Sequence, residues 1–414
     1  ERLRDIDQEV LLLQDSINTL RSSSRRVMGR EKIIARWAAK IKTIEKSKSY
    51  YNLDSLSKLT RLVHLDLAYN ELESLPDVFR QIPNLRRINL DNNNLSSLPS
   101  SIGSLRYLEE LYIQKNKIEG LPDEMGKMVS LKTFIANNNK IPSFPEEIGN
   151  WRGLEILRAD SNKIQSLPNS FDQLKALRLI MLSDNKLTEI TDGVCTFKNL
   201  QELYLDNNSI AVLPPSIGLL SDLRVLQLSG NQLSTLPTSI GLNQGLRTLN
   251  LASNNLTVVP KDIIQLVNLQ HLYLEKNIIS SLPKSIGLLS QLEALHLDNN
   301  DLTAIPESIG LLEKLELLHL DGNKLTDVPY SMSSLKNLQV CYLQDNQLGA
   351  FPTSLANLEN LEVLFIHKND LTSIPDSCIS GLKNLQTLSA NNNRIIELPE
   401  SLERLKNLKR LFLS

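Results

Sequence analysis

The chain has 414 residues, with 45 Lys+Arg against 47 Asp+Glu for a net charge of −2, and is 41% hydrophobic but only 5% aromatic. That length exceeds one ordinary core and calls for several domains or one elongated repeat array. The near-neutral balance argues against a globally basic nucleic-acid binder, and no apolar run reaches membrane-spanning length, so neither nucleic acid nor membrane insertion is expected.

In residues 1–20, Leu3, Ile6, Val10, Leu13, Ile17 and Leu20 stand three and four apart, the a/d spacing of a coiled coil. Such a run predicts a helix that either self-associates or docks a partner helix, or packs as one amphipathic helix against the rest of the chain. Residues 21–32, RSSSRRVMGREK, read as a basic Ser-rich linker in which Ser22, Ser23 and Ser24 are candidates for phosphorylation. In residues 33–52, Ile33, Ile34, Trp37, Ile41 and Ile44 have helical spacing and are expected to cap the N-terminal end of the core built by residues 53–414. The first 50 residues carry a net charge of +5 and the rest −7.

From residue 53 to 414 one unit repeats. Asn recurs every 23 residues from Asn70 to Asn369, then one residue late at Asn393, after the stretch DSCISGL. Each Asn closes an L-x-x-L-x-L-x-x-N frame or a variant with another apolar residue at a leucine position, as in Leu62, Leu65, Leu67 and Asn70. Six residues later stands Pro in 14 of 15 repeats, Thr191 being the exception. The L-x-L alternation predicts a short strand with one buried face. The Asn side chains predict a hydrogen-bonded ladder at the turn. The L-P-x-x-I-G-x-L half returns the chain and packs Ile and Leu behind the strand. About sixteen units, the last cut short at Ser414, predict an α/β solenoid, a horseshoe with a concave parallel β-sheet on the order of 70 Å long. The open leucine edge at the last unit leads us to expect that the chain continues beyond it.

This unit is identified as a leucine-rich repeat, and its 23-residue length resembles the Ras-group leucine-rich-repeat proteins. That group includes the Ras–Raf pathway scaffold, which joins a Ras-type GTPase to a phosphatase, and the plant intracellular Ras-group-related proteins. The resemblance implies an intracellular interaction surface and a Ras-type small GTPase as one candidate partner. The scaffold's basic-Val-x-Phe docking motif is not matched, because RRVMG has Arg26 and Val27 but Gly29 where Phe would stand.

With each ladder Asn as zero, positions −5 and −3 point into the core and −6, −4 and −2 onto the concave face. All five histidines fall in those outward columns, among them His296, His319 and His367. The −4 column also collects Tyr112, Tyr204, Tyr273, Tyr342, Phe365 and Phe412, and the −2 column Asp91, Asp160, Asp206, Glu275, Asp298 and Asp321. Aromatic area for affinity beside charge for orientation is the composition of a protein-binding surface, densest from Tyr273 to His367. Tyr204 and Asp206 are assigned to the same surface.

His296 with Asp298 and His319 with Asp321 form a repeated H-x-D pattern that could signal a metal site or an acid–base pair. The 23-residue echo and strand alternation account for it, and an open sheet gives little second shell and no water exclusion. No catalytic residue, metal or cofactor is therefore expected. The carboxylates beside the histidines are expected to favour the charged imidazole and make the contact pH-sensitive. Cys195, Cys341 and Cys378 show no metal spacing or disulfide framework, which suits a reducing, cytoplasmic setting; Cys341 and Cys378 fall on core positions. The expected function is a non-catalytic signalling scaffold. The alternatives are a regulatory segment of a larger enzyme or a structural component of a cytoskeletal or ciliary assembly.

Overall fold

The computed structural model describes residues 53–414. The coiled-coil positions Leu3, Ile6, Val10, Leu13, Ile17 and Leu20, the linker 21–32 and the cap 33–52 lie outside the described residues. Sixteen three-residue strands, from β1 (His64–Asp66) to β16 (Arg410–Phe412), form one parallel sheet in sequence order. Each strand pairs with the next in a register of 23 residues, as in Tyr273↔His296 and His296↔His319. At the late Asn the step becomes 24, Val363↔Thr387, so the extra residue is absorbed outside the sheet.

The strand is short because only the L-x-L core alternates. Its central residue is fully buried in strand after strand, as at Leu272, Leu295, Leu318 and Leu364. The chain then turns through a residue with φ between 51° and 58°, or glycine, immediately before each ladder Asn. That left-handed turn aims the Asn amide inward. Asn300 Nδ2 donates to Leu297 O at 3.1 Å and, across the repeat, to Leu274 O at 2.9 Å, while its Oδ1 accepts the Ile279 N–H at 2.9 Å. The buried amide satisfies backbone groups of two repeats at once, which ties neighbouring units together.

Behind the sheet the return segments are 3-10 turns rather than α-helices, and this refines the α/β expectation. Pro306, extended at φ −68° and ψ 145°, leads into the turn Glu307–Leu311, and its carbonyl accepts the Ile309 N–H at 3.0 Å. The five residues between this Pro and the next core leucine have room for one tight turn only. The I-G glycine lets successive turns approach: a Cβ on Gly310 would lie 2.3 Å from Ser331 O. Repeat 14, with its one extra residue, forms the α-helix α1 (Asp376–Ile379), closed by Ser380 N–H to Asp376 O at 3.0 Å.

Leucine fills one continuous core along the array, with Trp151 at a leucine position donating its indole N–H to Met125 O at 2.8 Å. Cys195, Cys341 and Cys378 are buried and unpaired. Burial pushes the Cys341 thiol up to about 12 and Cys195 up to about 11, so both are unreactive packing at neutral pH. At the C-terminal end Ile396, Leu411 and Phe412 are exposed. Among the described residues no helix is long and apolar enough to cross a membrane.

Candidate functional site

Parallel strands in 23-residue register set like columns side by side about 4.8 Å apart, close enough for rings to stack. Over β10 (His271–Tyr273), β11 (Ala294–His296), β12 (Leu317–His319), β13 (Val340–Tyr342) and β14 (Val363–Phe365), the −4 column becomes an unbroken row of rings. Centroids are 4.7 Å apart for Tyr273–His296, 4.4 Å for His296–His319, 4.3 Å for His319–Tyr342 and 5.0 Å for Tyr342–Phe365. His271 and His367 flank the two end rings from the adjoining columns, 6.5 Å from Tyr273 and 5.9 Å from Phe365. The structure therefore brings the predicted residues from Tyr273 to His367 into one strip.

On one side of this row lie Ala294, Leu317, Val340 and Val363, paired in register. On the other lie Glu275, Asp298 and Asp321. The strip thus has an aliphatic edge, an aromatic and imidazole centre, and an acidic edge. The aliphatic edge escaped the sequence reading, although apolar residues in an outward −6 column are its signal.

Tyr204 and Asp206 do not join it. Gln227 and Asn250 occupy the two intervening strands of the same row. Asp206 instead accepts the Ser229 N–H at 2.9 Å, as Asp160 accepts that of Ser183 at 2.9 Å and Asp91 that of Gln114 at 2.9 Å. Tyr204 donates its hydroxyl to Glu202 at 2.8 Å. These carboxylates brace the next repeat. On the strip, by contrast, Glu275 Oε2, Asp321 Oδ1, His271 Nδ1 and Gln344 Oε1 are buried with no hydrogen-bond partner within the chain. Buried polar atoms left unpaired are costly, and a ligand that reaches them is rewarded.

Burial governs protonation here. It lowers His296 and His367, and together with the neighbouring His296 it takes His319 down to about 4. Asp298 Oδ1 and Asp321 Oδ1 each lie 3.9 Å from His319 Nδ1, yet desolvation outweighs them. The expectation of carboxylate-favoured imidazolium is overturned at His296, His319 and His367, which burial holds below the usual imidazole range. Burial and the facing Asp298 raise Asp321 to about 6, and burial raises Glu275. His296, Asp298 and His319 also bring one ligand atom each within 4.8 Å of one another.

A second outward patch was missed. Ile135, Ile156, Leu179 and Met181 surround Arg158 on strands Thr133–Ile135, Ile156–Arg158 and Leu179–Met181. A depression of about 540 Å³ near Arg224 and Arg247 lies off both patches, on the flank where strands begin.

A stacked array of leucine-cored units with a side-chain-lined parallel sheet has the fold typical of protein–protein interaction domains. The family described as "Leucine-rich repeat region" matches residues 246–375, and that described as "Leucine rich repeat" matches 52–95, 83–141, 198–244 and 359–414. A leucine-rich repeat protein of Leptospira interrogans shares 37% identity over 88% of this chain and 92% of its own, with a TM-score of 0.79. The chain belongs to the leucine-rich repeat family. The Arabidopsis receptor kinase HAESA, solved with the peptide hormone IDA and the co-receptor SERK1, is 29% identical over 87% of this chain and 67% of its own, at a TM-score of 0.66. YopM of Yersinia enterocolitica shares the fold at 24% identity, covering 98% of this chain and 82% of its own with a TM-score of 0.65. No curated protein matches the chain significantly.

Proposed function

We propose that this chain is a non-catalytic interaction module that grips a protein partner on the strip spanning β10–β14. The observation that carries the reading is the unbroken row of rings from Tyr273 to Phe365 with unpaired buried polar atoms beside it. Ring area concentrated in one place supplies affinity, and the acidic edge of Glu275, Asp298 and Asp321 favours a partner that presents Lys or Arg. The complex of HAESA with a peptide hormone supports a polypeptide ligand for an array built this way.

The finer reading is a cytoplasmic signalling scaffold. The Ras-group resemblance makes a Ras-type GTPase the first partner to assay, and three unpaired buried cysteines fit a reducing compartment. The test compares this chain with a Tyr273→Ala/Tyr342→Ala/Phe365→Ala variant in affinity capture from the source cell, with a GTP-loaded Ras-type GTPase panel run alongside. The strip is supported when a partner held by the parent chain is lost from a variant of unchanged melting temperature. Equal recovery of the same partners by both chains refutes it, and a panel that binds neither chain refutes the GTPase assignment alone.

A further inference from the structure

The two histidines at the centre of the strip hold more than stacked rings. The pattern within each strand, His296 with Asp298 and His319 with Asp321, follows from alternation. Across strands the result differs. β11 and β12 put His296 beside His319 at a centroid distance of 4.4 Å, and Asp298, two residues after His296, also reaches across to His319, Oδ1 to Nδ1 at 3.9 Å. One donor atom from each of His296, Asp298 and His319 falls within 4.8 Å of the other two.

The Asp298 carboxylate is oriented. Its Oδ2 accepts the Asn299 amide N–H at 2.8 Å, which leaves Oδ1 directed at His319 Nδ1, 3.9 Å away. Asn299 itself sits in the left-handed turn at φ 55°. Holding a ligand carboxylate by a side-chain hydrogen bond is how metal sites fix their first shell. Asp321 Oδ1, buried and without a hydrogen-bond partner within the chain, lies 3.9 Å from His319 Nδ1 and adds a second negative group at the same point. Tyr273 packs against His296 at 4.7 Å and Tyr342 against His319 at 4.3 Å, so a ring flanks the pair on each side.

We infer that His296, Asp298 and His319 form a binding site for one divalent transition-metal ion of the zinc type. Two imidazole nitrogens and a carboxylate oxygen suit zinc, cobalt(II) and nickel(II) and are too nitrogen-rich for calcium or magnesium. Metal–ligand bonds of about 2.0–2.2 Å require the donors to close to roughly 3.4 Å of one another, a movement of about 1 Å by side-chain rotation. With three protein ligands the ion keeps an open position directed at the concave space. The site is independent of whether the strip binds a protein.

The experiment is equilibrium dialysis and calorimetry of the full, tag-free chain, stripped with chelator and titrated with zinc, with cobalt(II) absorption reporting coordination. The expected result is one ion per chain and the visible bands of tetrahedral cobalt, with binding weakened at least tenfold in each of His296→Ala, His319→Ala and Asp298→Asn. His367→Ala, a histidine on the same face but outside the cluster, is expected to bind like the parent. Far-ultraviolet dichroism separates lost coordination from lost folding, and a replacement that unfolds the chain gives way to His319→Gln. Absence of stoichiometric binding, or binding that survives both histidine replacements, overturns the site.

Discussion

At the scale of single residues, the same residue type does different work in the same column. Asp160 and Asp298 both stand two before a ladder Asn, yet Asp160 braces the Ser183 N–H while Asp298 points at a neighbouring histidine. The column was legible in the sequence; the partner each side chain selects depends on the next repeat, which periodicity does not encode. Histidine protonation failed for a related reason. Neighbouring charge is visible in sequence, whereas burial within a row of rings is not. Asp160 offers a direct check of that balance, because burial raises it to about 6 from an ordinary 3.8. The folded chain then binds the proton more tightly than the unfolded one, so this group's penalty is full above pH 6 and is relieved as pH falls toward 4. Asp160→Asn keeps an oxygen for the Ser183 N–H and removes the charge. It is expected to raise unfolding free energy at pH 7.5 by at most about 3 kcal/mol, the gap closing by about pH 4. Denaturant melts at both pH values measure this, and an equal gap at both would contradict the burial account.

At the scale of the repeated element, the strand, the Asn ladder and the proline-led return were all readable, because each depends on local chemistry repeated without interruption. The identity of the return as a 3-10 turn was not readable from the I-G motif alone. It follows from how closely successive turns approach, and the glycine records that approach. Gly310→Ala places a methyl 2.3 Å from Ser331 O, a backbone atom, and is expected to cost about 1–3 kcal/mol. Gly349→Ala meets nothing within 4 Å and is expected to be neutral or slightly stabilising. Paired chemical-denaturation curves decide this; similar losses for both would mean that close turn packing is not what the glycine serves. A second ladder also went unread: Asn268 donates to Gln244 O at 2.8 Å and Asn337 to Glu313 O at 2.8 Å, one unit back along the flank. The recurring Asn-Leu pair at those positions was its signal.

At the scale of the whole molecule, the solenoid with its single parallel sheet and the face that carries side chains outward followed from the repeat, and the strip from Tyr273 to His367 came together as the columns implied. Tyr204 and Asp206 fell away because two polar strands intervene, a break that a tally by column conceals and a strand-by-strand register exposes. The aliphatic edge of Ala294, Leu317, Val340 and Val363 completes a surface in which apolar area, rings and acids run in parallel lines along the array. A partner laid across these lines meets all three. Hydroxyl-radical footprinting of the chain with and without its captured partner reads that contact at side-chain resolution. Protection is expected at Tyr273, His296, His319, Tyr342 and Phe365, with Tyr112 and Tyr204 unchanged. Protection confined to the 3-10 flank, or centred on Tyr112 and Tyr204, would contradict a partner seated on the strip.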